Sequence, residues 1–318
     1  MGISFSVVMP LYNKGAYVRR AVLSVLGQSY GDLELIVVDD GSTDAGVEVV
    51  RAISDERLRL IEQGNQGVSS ARNTGIAQAK GNYIGFLDAD DEWHPDFLKE
   101  VHALINKYPG AGIYGTNHCF SFPSGRKSVN TLAGLFTNDA TDGRIADYFG
   151  AFYKYSRSPF SNSGCCIPRE VLMAVGGYKA GVKLTEDSDL WCRIALSYSV
   201  VFTRKPLCTY YLGTPNSTIH CFEPRDYEVS AMLQQRLDGG SVPRIHVRSV
   251  QKAIAHFQLS LAKRASLRSH KKFVVRLLWK RRVFAFYPVQ VIALLVGLVF
   301  PTALVRIIGR LKTRLLPH

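Results

Sequence analysis

The chain has 318 residues, of which 47% are hydrophobic, and a formal net charge of +13. This length and apolar content suffice for one large domain with an appendage, and they exclude a chain too polar to form a core. The charge is unevenly spread: residues 239–318 contain 16 Lys and Arg and no Asp or Glu, which leaves 23 basic and 26 acidic residues in 1–238. We therefore expect a slightly acidic main domain followed by a strongly basic region.

The N-terminus and the cysteines indicate folding in the cytosol. A strand is predicted at residues 3–9, and because no basic stretch or cleavage site precedes it, we expect no signal peptide. The six cysteines show no paired metal-ligand spacing such as CxxC, so we predict reduced and mostly buried thiols.

The first 115 residues alternate between strand and helix patterns, which predicts right-handed βαβ crossovers and an α/β fold with a mainly parallel sheet flanked by helices. Predicted strands lie at 3–9, 35–38, 58–61, 83–87 and 112–115, and predicted helices at 18–26, 46–53, 68–79 and 95–108. Gly81 is predicted as a C-cap. Residues 120–154 have poor periodicity and are interpreted as an acceptor-side insertion.

Carboxylates follow two of the predicted strands, Asp39 and Asp40 after one and Asp88 and Asp90 after the other. Ligands bind at the carboxyl edge of open α/β sheets. Acids gathered there repel one another unless a cation or hydrogen-bond donors offset them. The pattern therefore predicts a metal and nucleotide site.

Asp88 and Asp90 have the spacing at which two carboxylates in a turn can reach one hard divalent ion. Mg²⁺ and Mn²⁺ prefer oxygen ligands and keep waters and substrate phosphates in their other positions. The alternative is a solvated turn in which Asp91 or Asp96 caps the next helix.

Asp39 and Asp40 can accept hydrogen bonds from a base N–H or a ribose hydroxyl, with Tyr12 packed against the base. The alternative is an Asx turn with a helix cap, which the composition of residues 39–44 favours equally.

Arg72 lies on the apolar, inward side of the helix predicted at 68–79. A guanidinium placed there needs an anion. A diphosphate at the helix N-terminus is one candidate, and a salt bridge to Asp40 or Asp88 is the other.

Asp187 is the candidate general base. It extends the apolar stripe of the helix that starts near residue 186 and buries Trp191, whereas Asp189 lies off that stripe and can pair with Arg193. We predict that Asp187 faces inward and Asp189 outward. Acids in a first helical turn are also favoured by the helix dipole alone.

Taken together, six segments resemble the family-2 glycosyltransferases of the GT-A fold over roughly residues 1–215. They are 6–13, 34–44, 67–73, 81–91, 176–178 and 186–187. The resemblance implies transfer of a sugar from a nucleotide diphosphate, with inversion, and a Mg²⁺ or Mn²⁺ cofactor.

The resemblance also assigns roles to residues. The donor nucleotide sugar would be bound by Pro10, Tyr12, Asp39, Asp40, Arg72, Asp88, Ala89 and Asp90. Asp88 and Asp90 would hold the metal, Asp90 most directly. Asp187 would take the acceptor proton, and Glu186 and Trp191 would lie on the acceptor side.

Two departures from the family pattern are informative. The family often has a Tyr-Arg-x-His type segment after the last strand, but residues 210–214 read Tyr-Tyr-Leu-Gly-Thr, and His220 is the candidate substitute for the missing basic or metal-binding group. The Gln-x-x-Arg-Trp signature of processive enzymes is absent, which favours transfer of a single sugar.

Residues 283–305 carry no charge and are long enough to span a bilayer. Both flanks are basic, however, and a simple span would place one of them on the wrong side. Pro288 and Pro301 favour a broken or re-entrant element held at the cytoplasmic leaflet by anionic lipid. A true span and a cytosolic dimerisation helix are the alternatives. Nucleic acid is disfavoured because the tail lacks interleaved polar base-reading groups.

We therefore predict a GT-A catalytic domain at 1–220, with a nucleotide-sugar-binding half at 1–115 and an acceptor-side half at 116–220. A basic helical membrane-association region follows at 221–318. The predicted enzyme adds one sugar to a glycan or polyprenyl-linked acceptor during cell-surface polysaccharide assembly, at the cytoplasmic face of the inner membrane. A nucleotidyltransferase or pyrophosphorylase is the alternative enzyme, although residues 11–15 match its phosphate loop poorly. A non-catalytic sugar-nucleotide-binding scaffold is the other alternative.

Overall fold

The computed structural model describes residues 2–299 except 130, 133, 137–139, 156–157, 183, 215–226 and 269. The strands are β1 (Phe5–Leu11), β2 (Leu33–Asp39), β3 (Leu58–Glu62), β4 (Tyr83–Phe86), β5 (Glu92–Trp93), β6 (Ile113–Ser121), β7 (Lys127–Val129), β8 (Asp142–Arg144), β9 (Cys165–Pro168) and β10 (Val200–Tyr211). The helices are α1 (Gly15–Leu26), α2 (Gly46–Arg51), α3 (Val68–Gln78), α4 (Phe97–Lys107), α5 (Tyr148–Tyr155), α6 (Arg169–Val175), α7 (Glu186–Ala195), α8 (Glu228–Asp238), α9 (Val247–Ser266), α10 (Lys271–Leu278), α11 (Arg281–Phe286) and α12 (Pro288–Val299). The elements predicted for the first 115 residues are confirmed, with their ends shifted by a few residues.

The strands form a sheet of order β3–β2–β1–β4–β9–β6–β10–β5, with β7 beside β6 and β8 beside β10. β1 is parallel to β2 and β4, and β2 is parallel to β3, as the crossovers predict. β9 runs antiparallel between β4 and β6, while β6 and β10 are parallel. The carboxyl ends of β1, β2 and β4 therefore lie side by side, and the predicted acids follow at that edge.

Alternate residues of the central strands enter two apolar layers. Val7 and Leu35 pack in the layer that contains the buried faces of α1 and α4. Val8 and Ile36 pack in the opposite layer, with α3, α6 and α7. Because helices cover both faces, the strands can be apolar along their whole length.

Gly81 was predicted to cap α3, but it has a different role. The helix ends at Gln78, and Ala79 is already extended, with ψ of 135°. A Cβ on Gly81 would lie 2.6 Å from the backbone nitrogen of Ser6 and 2.7 Å from the carbonyl carbon of Phe5. Glycine is needed here because the chain passes against the backbone of β1 as it enters β4.

The helices after residue 227 share the apolar layer that contains α3 and α7. The rings of Phe152 in α5 and Phe257 in α9 lie 5.0 Å apart between centroids. Val250 and Ile254 of α9 are fully buried in the same core as Val8. The described part of the basic region therefore packs directly on the sheet domain.

The apolar segment predicted at 283–305 begins as two helices that break at Tyr287, between α11 and α12. This agrees with the break expected at Pro288, because proline ends the hydrogen-bond ladder of a preceding helix. Residues 300–305 lie outside the described residues. No helix within the described ranges combines the length and apolar character that a bilayer crossing needs.

The described cysteines are free thiols, as predicted. Burial raises the pKa of Cys165, Cys166, Cys192 and Cys208 above the ordinary thiol range. Their reactivity as nucleophiles is correspondingly low. Cys221 lies outside the described residues.

Candidate active site

Asn13 ties together two loops at the carboxyl edge of the sheet. It has a φ of 52°, in the left-handed region that Asn tolerates better than most residues. Its N–H donates to Ser42 Oγ at 3.0 Å, and its Oδ1 accepts from the Thr43 N–H at 2.8 Å. Tyr12, just before it, is 43% exposed, and Pro10 is half-buried. The exposed ring of Tyr12 is thus available at the edge where the nucleoside is predicted.

Asp39 and Asp40 are both buried and bonded within the chain. The Asp39 carboxylate accepts from the N–H of Ser42 at 3.2 Å, which is the local turn considered above. The Asp40 carboxylate accepts from Gln63 Nε2 at 2.8 Å and from the N–H of Gly67 at 2.8 Å. Asp40 therefore fixes the loop between β3 and α3, and the nucleoside contacts of both acids stay predictions.

Asp90 is bonded to segments that are far apart in the sequence, at the carboxyl edge of the sheet, which we call the cleft. Its carboxylate accepts from Lys14 Nζ at 2.6 Å and from Thr214 Oγ1 at 2.6 Å. Its backbone carbonyl accepts from Arg20 Nη2 at 2.6 Å. Ala89, beside it, is buried. One carboxylate thus joins the loop after β1 to the segment after β10.

Asp91 has a structural role beside this acid pair. It is buried and accepts from the Ser163 hydroxyl and from the N–H of Tyr211, the latter at 3.2 Å. Burial, and then the charges of Asp88 and Asp90, raise the pKa of Asp91 well above the ordinary carboxyl range. Asp91 therefore anchors the end of β10 and does not act as the helix cap considered above.

Arg72 connects the acid cluster with α7. It is 3% exposed, which confirms its inward placement. Its Nη2 donates to Asp88 Oδ1 at 2.8 Å and its Nη1 to Glu186 Oε1 at 3.0 Å. Burial alone would lower the pKa of Arg72, but Asp88, Tyr178 and Glu186 together raise it. The structure shows the salt bridge to Asp88, and the diphosphate contact stays a prediction.

The first turn of α7 carries the candidate base. Thr185 precedes it with φ of 66°, and Thr185 and Asn13 are the non-glycine residues with positive φ among those the structure describes. Such strained positions cluster at functional sites. Asp187 is partly exposed, and burial raises its pKa. Burial, followed by Asp187, raises the pKa of Glu186 to about 7. A carboxylate with a raised pKa is better suited to accept a proton near neutral pH.

The outward placement predicted for Asp189 is wrong, although its pairing with Arg193 is confirmed. Asp189 is fully buried and accepts from Arg193 Nε at 2.8 Å. Arg193 also donates to the carbonyl oxygens of Val175 and Gly177, at 2.6 Å and 2.7 Å. The turn after α6 thus covers the face of α7 that the helical pattern assigned to solvent.

Trp191 is 1% exposed and packs edge-to-face against Phe160, with ring centroids 4.9 Å apart. Its burial follows the predicted stripe, but a side chain buried in the core cannot contact an acceptor in this structure. Glu186, by contrast, reaches the cleft through its bond to Arg72.

Several site residues were missed from the sequence. Lys14 is the one that its position could have revealed, because it lies just past β1 at the same edge as Tyr12. Arg20 stacks on Tyr211, with the guanidinium carbon 3.6 Å from the ring centroid. Thr214 reaches Asp90 from far along the chain. No local pattern predicts such long-range pairs.

Asp88 and Asp90 fit a divalent cation as a pair of ligands. Their side chains are 29% and 17% exposed, and each has a carboxylate oxygen outside the bonds given above. Within the described ranges no group of three or more His, Cys, Asp or Glu side chains is placed to hold a metal. The pair therefore suits an ion such as Mg²⁺ or Mn²⁺ that takes its other oxygens from waters and phosphates. His220 lies outside the described residues.

Two solved structures share this fold at low sequence identity. S. aureus TarS in complex with UDP-GlcNAc aligns with a TM-score of 0.62 and 18% identity, covering 86% of this chain and 89% of that chain. Mannosyltransferase PcManGT of Pyrobaculum calidifontis, in complex with GDP-Man and Mn²⁺, aligns with a TM-score of 0.57 and 18% identity, covering 94% and 87%. The α/β architecture is thus that of the GT-A enzymes.

Sequence relatives identify the family. The amylovoran biosynthesis glycosyltransferase AmsB of Erwinia amylovora is 39% identical over 239 residues, which are 71% of this chain and 76% of that protein. Several other curated relatives match over shorter stretches, which span 18% to 43% of their own lengths. Residues 6–176 match the profile described as glycosyl transferase family 2. The chain is therefore a member of glycosyl transferase family 2.

Proposed function

We propose that this chain is an inverting glycosyltransferase that moves one sugar from a nucleotide-diphosphate sugar to a hydroxyl group of a glycan or lipid-linked acceptor. The observation that carries the proposal is the bridge made by Arg72 between Asp88 and Glu186. This bridge fixes the donor-edge acids beside the helix turn that presents Asp187. The bridge supports our assignment of the acid cluster and the candidate base to one site.

In the proposed reaction, Asp187 takes the proton of the acceptor hydroxyl as the hydroxyl oxygen attacks the anomeric carbon. The bond between the anomeric carbon and the diphosphate oxygen breaks, and the diphosphate leaves with the electron pair. Attack from the face opposite the leaving group inverts the configuration, and no covalent intermediate with the protein is required. Burial favours this role because it raises the pKa of Asp187.

The charged side chains around the cleft have distinct tasks in this proposal. Arg72 holds Asp88 and Glu186 in place and adds positive charge at the N-terminal turn of α3, where an anion is favoured. Lys14 sets the position of the Asp90 carboxylate. A divalent cation held by Asp88 and Asp90 would supply charge that stabilises the leaving diphosphate. The Mn²⁺ in the complex of the Pyrobaculum mannosyltransferase supports this choice of cofactor.

The setting we propose is polysaccharide assembly at the cytoplasmic face of the cell membrane. The name of AmsB, a biosynthetic enzyme of amylovoran, supports the first part. The basic C-terminal region, with no acidic residue after Asp238, supports the second, because anionic lipid attracts Lys and Arg clusters.

A donor screen tests the proposal. We expect the purified full chain to release nucleotide diphosphate from one or a few members of a panel of UDP-, GDP- and dTDP-sugars. Release should increase with a suitable acceptor and should stop when EDTA is added. Binding of a nucleotide sugar without any release, with or without acceptor and Mn²⁺, would instead favour the scaffold alternative.

A further inference from the structure

An open groove of about 850 Å³ lies between α8, α9 and α11. Its lining includes polar and basic residues, namely Gln234 from α8, Gln258 from α9, and Lys280, Arg281 and Arg282 at the start of α11. None of its lining residues belongs to the cleft described above. The groove is therefore a second candidate binding site.

Among the described residues, the groove lining carries positive charge and contains no carboxylate. Arg282 donates to the Gln234 side-chain oxygen, and Gln234 in turn donates to Asp238 at 2.7 Å, so an amide separates Arg282 from this acid. The guanidinium groups of Arg281 and Arg282 in the groove lining are suited to an anion with several acceptor oxygens.

Exposed apolar side chains lie close in sequence to the basic residues of the groove. Trp279 precedes Lys280 and is 78% exposed, and Phe284, one turn after Arg281, is 50% exposed. On α12, Val289 and Ile292 are also more than half exposed. A water-soluble anion would gain no binding free energy from these apolar side chains. A lipid would, because its acyl chains lie next to its phosphate and can bury them.

The helix that precedes the groove residues, α10, has an exposed face of mixed character. Lys272, Val275, Arg276 and Trp279 are exposed at helical spacing, while Val274, Leu277 and Leu278 on the opposite face are buried. A helix face that mixes basic and apolar side chains is typical of elements that lie in the plane of a membrane interface.

We propose that the groove binds the phosphate headgroup of an anionic bilayer lipid, with Trp279, Phe284 and the exposed residues of α12 inserted among the acyl chains around it. The inference rests on the membrane association proposed above and deepens it, but it does not depend on sugar transfer. A specific phosphate site would fix the orientation of the chain on the membrane, which a diffuse basic surface cannot do.

The test compares two charge-matched double variants of the full chain. Arg281→Gln/Arg282→Gln removes two charges from the groove, and Arg244→Gln/Arg248→Gln removes two exposed charges elsewhere in the same basic region. We measure binding to vesicles of phosphatidylcholine with about 30 mol% phosphatidylglycerol. Relative to the wild-type chain, the groove variant should bind about tenfold or more weakly, and the control variant only about twofold more weakly. Vesicles of phosphatidylcholine alone should bind weakly in every case.

Ala285→Asp is a second variant, because Ala285 is exposed, lines the groove and takes part in no core packing. The added carboxylate should lower affinity for the anionic vesicles even if the double variant folds poorly.

Equal losses in the two double variants, or full binding by Ala285→Asp, would overturn the proposal. Tight binding of inorganic phosphate or of duplex RNA in place of vesicles would do so as well. Release of nucleotide diphosphate from a soluble donor should be unchanged in all these variants, so a failure here is distinct from a failure of the transferase assignment.

Discussion

The acid cluster at the sheet edge and the basic groove of the C-terminal helices differ in the charged residues that surround their ionisable side chains. At the edge, the two candidate metal ligands each have a cationic partner from elsewhere in the chain, Lys14 for Asp90 and Arg72 for Asp88. In the groove, Lys280, Arg281 and Arg282 face a lining without any carboxylate.

The difference indicates where each region finds its counter-charges. Ion pairs at the edge hold the loops of the cleft in place, and a ligand there must compete with or rearrange partners that already exist. The described lining of the groove contributes no carboxylate, so we expect the groove to attract an anion from outside the chain. Substitutions at the edge should therefore change turnover or stability, and substitutions in the groove should change the binding of the chain to membranes.

The largest effect is expected at the metal-binding pair. Asp90→Asn should lower divalent-dependent turnover by about 10³, because a bound cation supplies several kcal/mol of charge stabilisation to a leaving group. Nucleotide diphosphate release, measured over a Mn²⁺ titration, gives the comparison. Asp96→Asn, an exposed carboxylate in the same connection between β4 and α4, is the control and should keep wild-type activity. Wild-type turnover that is unaffected by EDTA would remove the metal from the mechanism.

The next effect concerns stability. Asp189→Ala should lower the free energy of unfolding by about 3 kcal/mol, because it leaves the largely buried Arg193 guanidinium without its carboxylate. Asp189→Asn keeps an acceptor oxygen and should cost less. Urea denaturation of the two variants measures the difference, and equal midpoints for wild type and Asp189→Ala would show that the pair contributes nothing.

Asp187→Asn should reduce transfer to the acceptor by about 10², since a positioned general base commonly contributes that much. Nucleotide binding, measured by calorimetry, should persist. The matched control is Glu170→Gln, which removes an exposed acid from the first turn of α6 without touching the cleft. An equal loss of activity in both variants would mean that helix-terminal charge, and not a base, is responsible.

The smallest effect is a pH dependence. The pKa of Glu186 is raised from 4.5 to about 7 by burial and by Asp187. Because the folded chain holds this proton more tightly than the unfolded chain, the resulting stability is complete below pH 4.5 and is lost as the pH rises through about 7. Glu186→Gln should therefore flatten the fall in unfolding free energy across this range, and Glu170→Gln should not. Parallel pH profiles for wild type and Glu186→Gln would contradict the shift.

Local patterns predicted much of the fold and part of the site. The apolar runs ending in acids located β2, β4 and the edge where Asp88 and Asp90 lie. Helical spacing placed Arg72 inward, because α3 packs one face on the sheet. These features depend on residues that are close together in sequence.

The failures have a common physical cause in packing between distant segments. Asp189 lies off the apolar stripe of α7, yet the carbonyls of Val175 and Gly177 hold its partner Arg193 and cover it. Gly81 looked like a helix cap, but the backbone of β1 excludes a side chain there. The bond of Lys14 to Asp90 joins residues 76 positions apart.

The core shared by α5 and α9 limits how this protein can be divided. Phe152 and Tyr153 of α5 contact Phe257 and Tyr287 of the basic region, with ring centroids 5.0 Å and 5.1 Å apart. Cutting the chain before α9 would uncover these rings and replace a modest exposed apolar surface with a larger one. A soluble fragment is therefore better sought by substituting Trp279 and Phe284 at the surface than by truncation. By the same reasoning, the helices from α9 onward are not an independent module of this chain, because they share a core with α5.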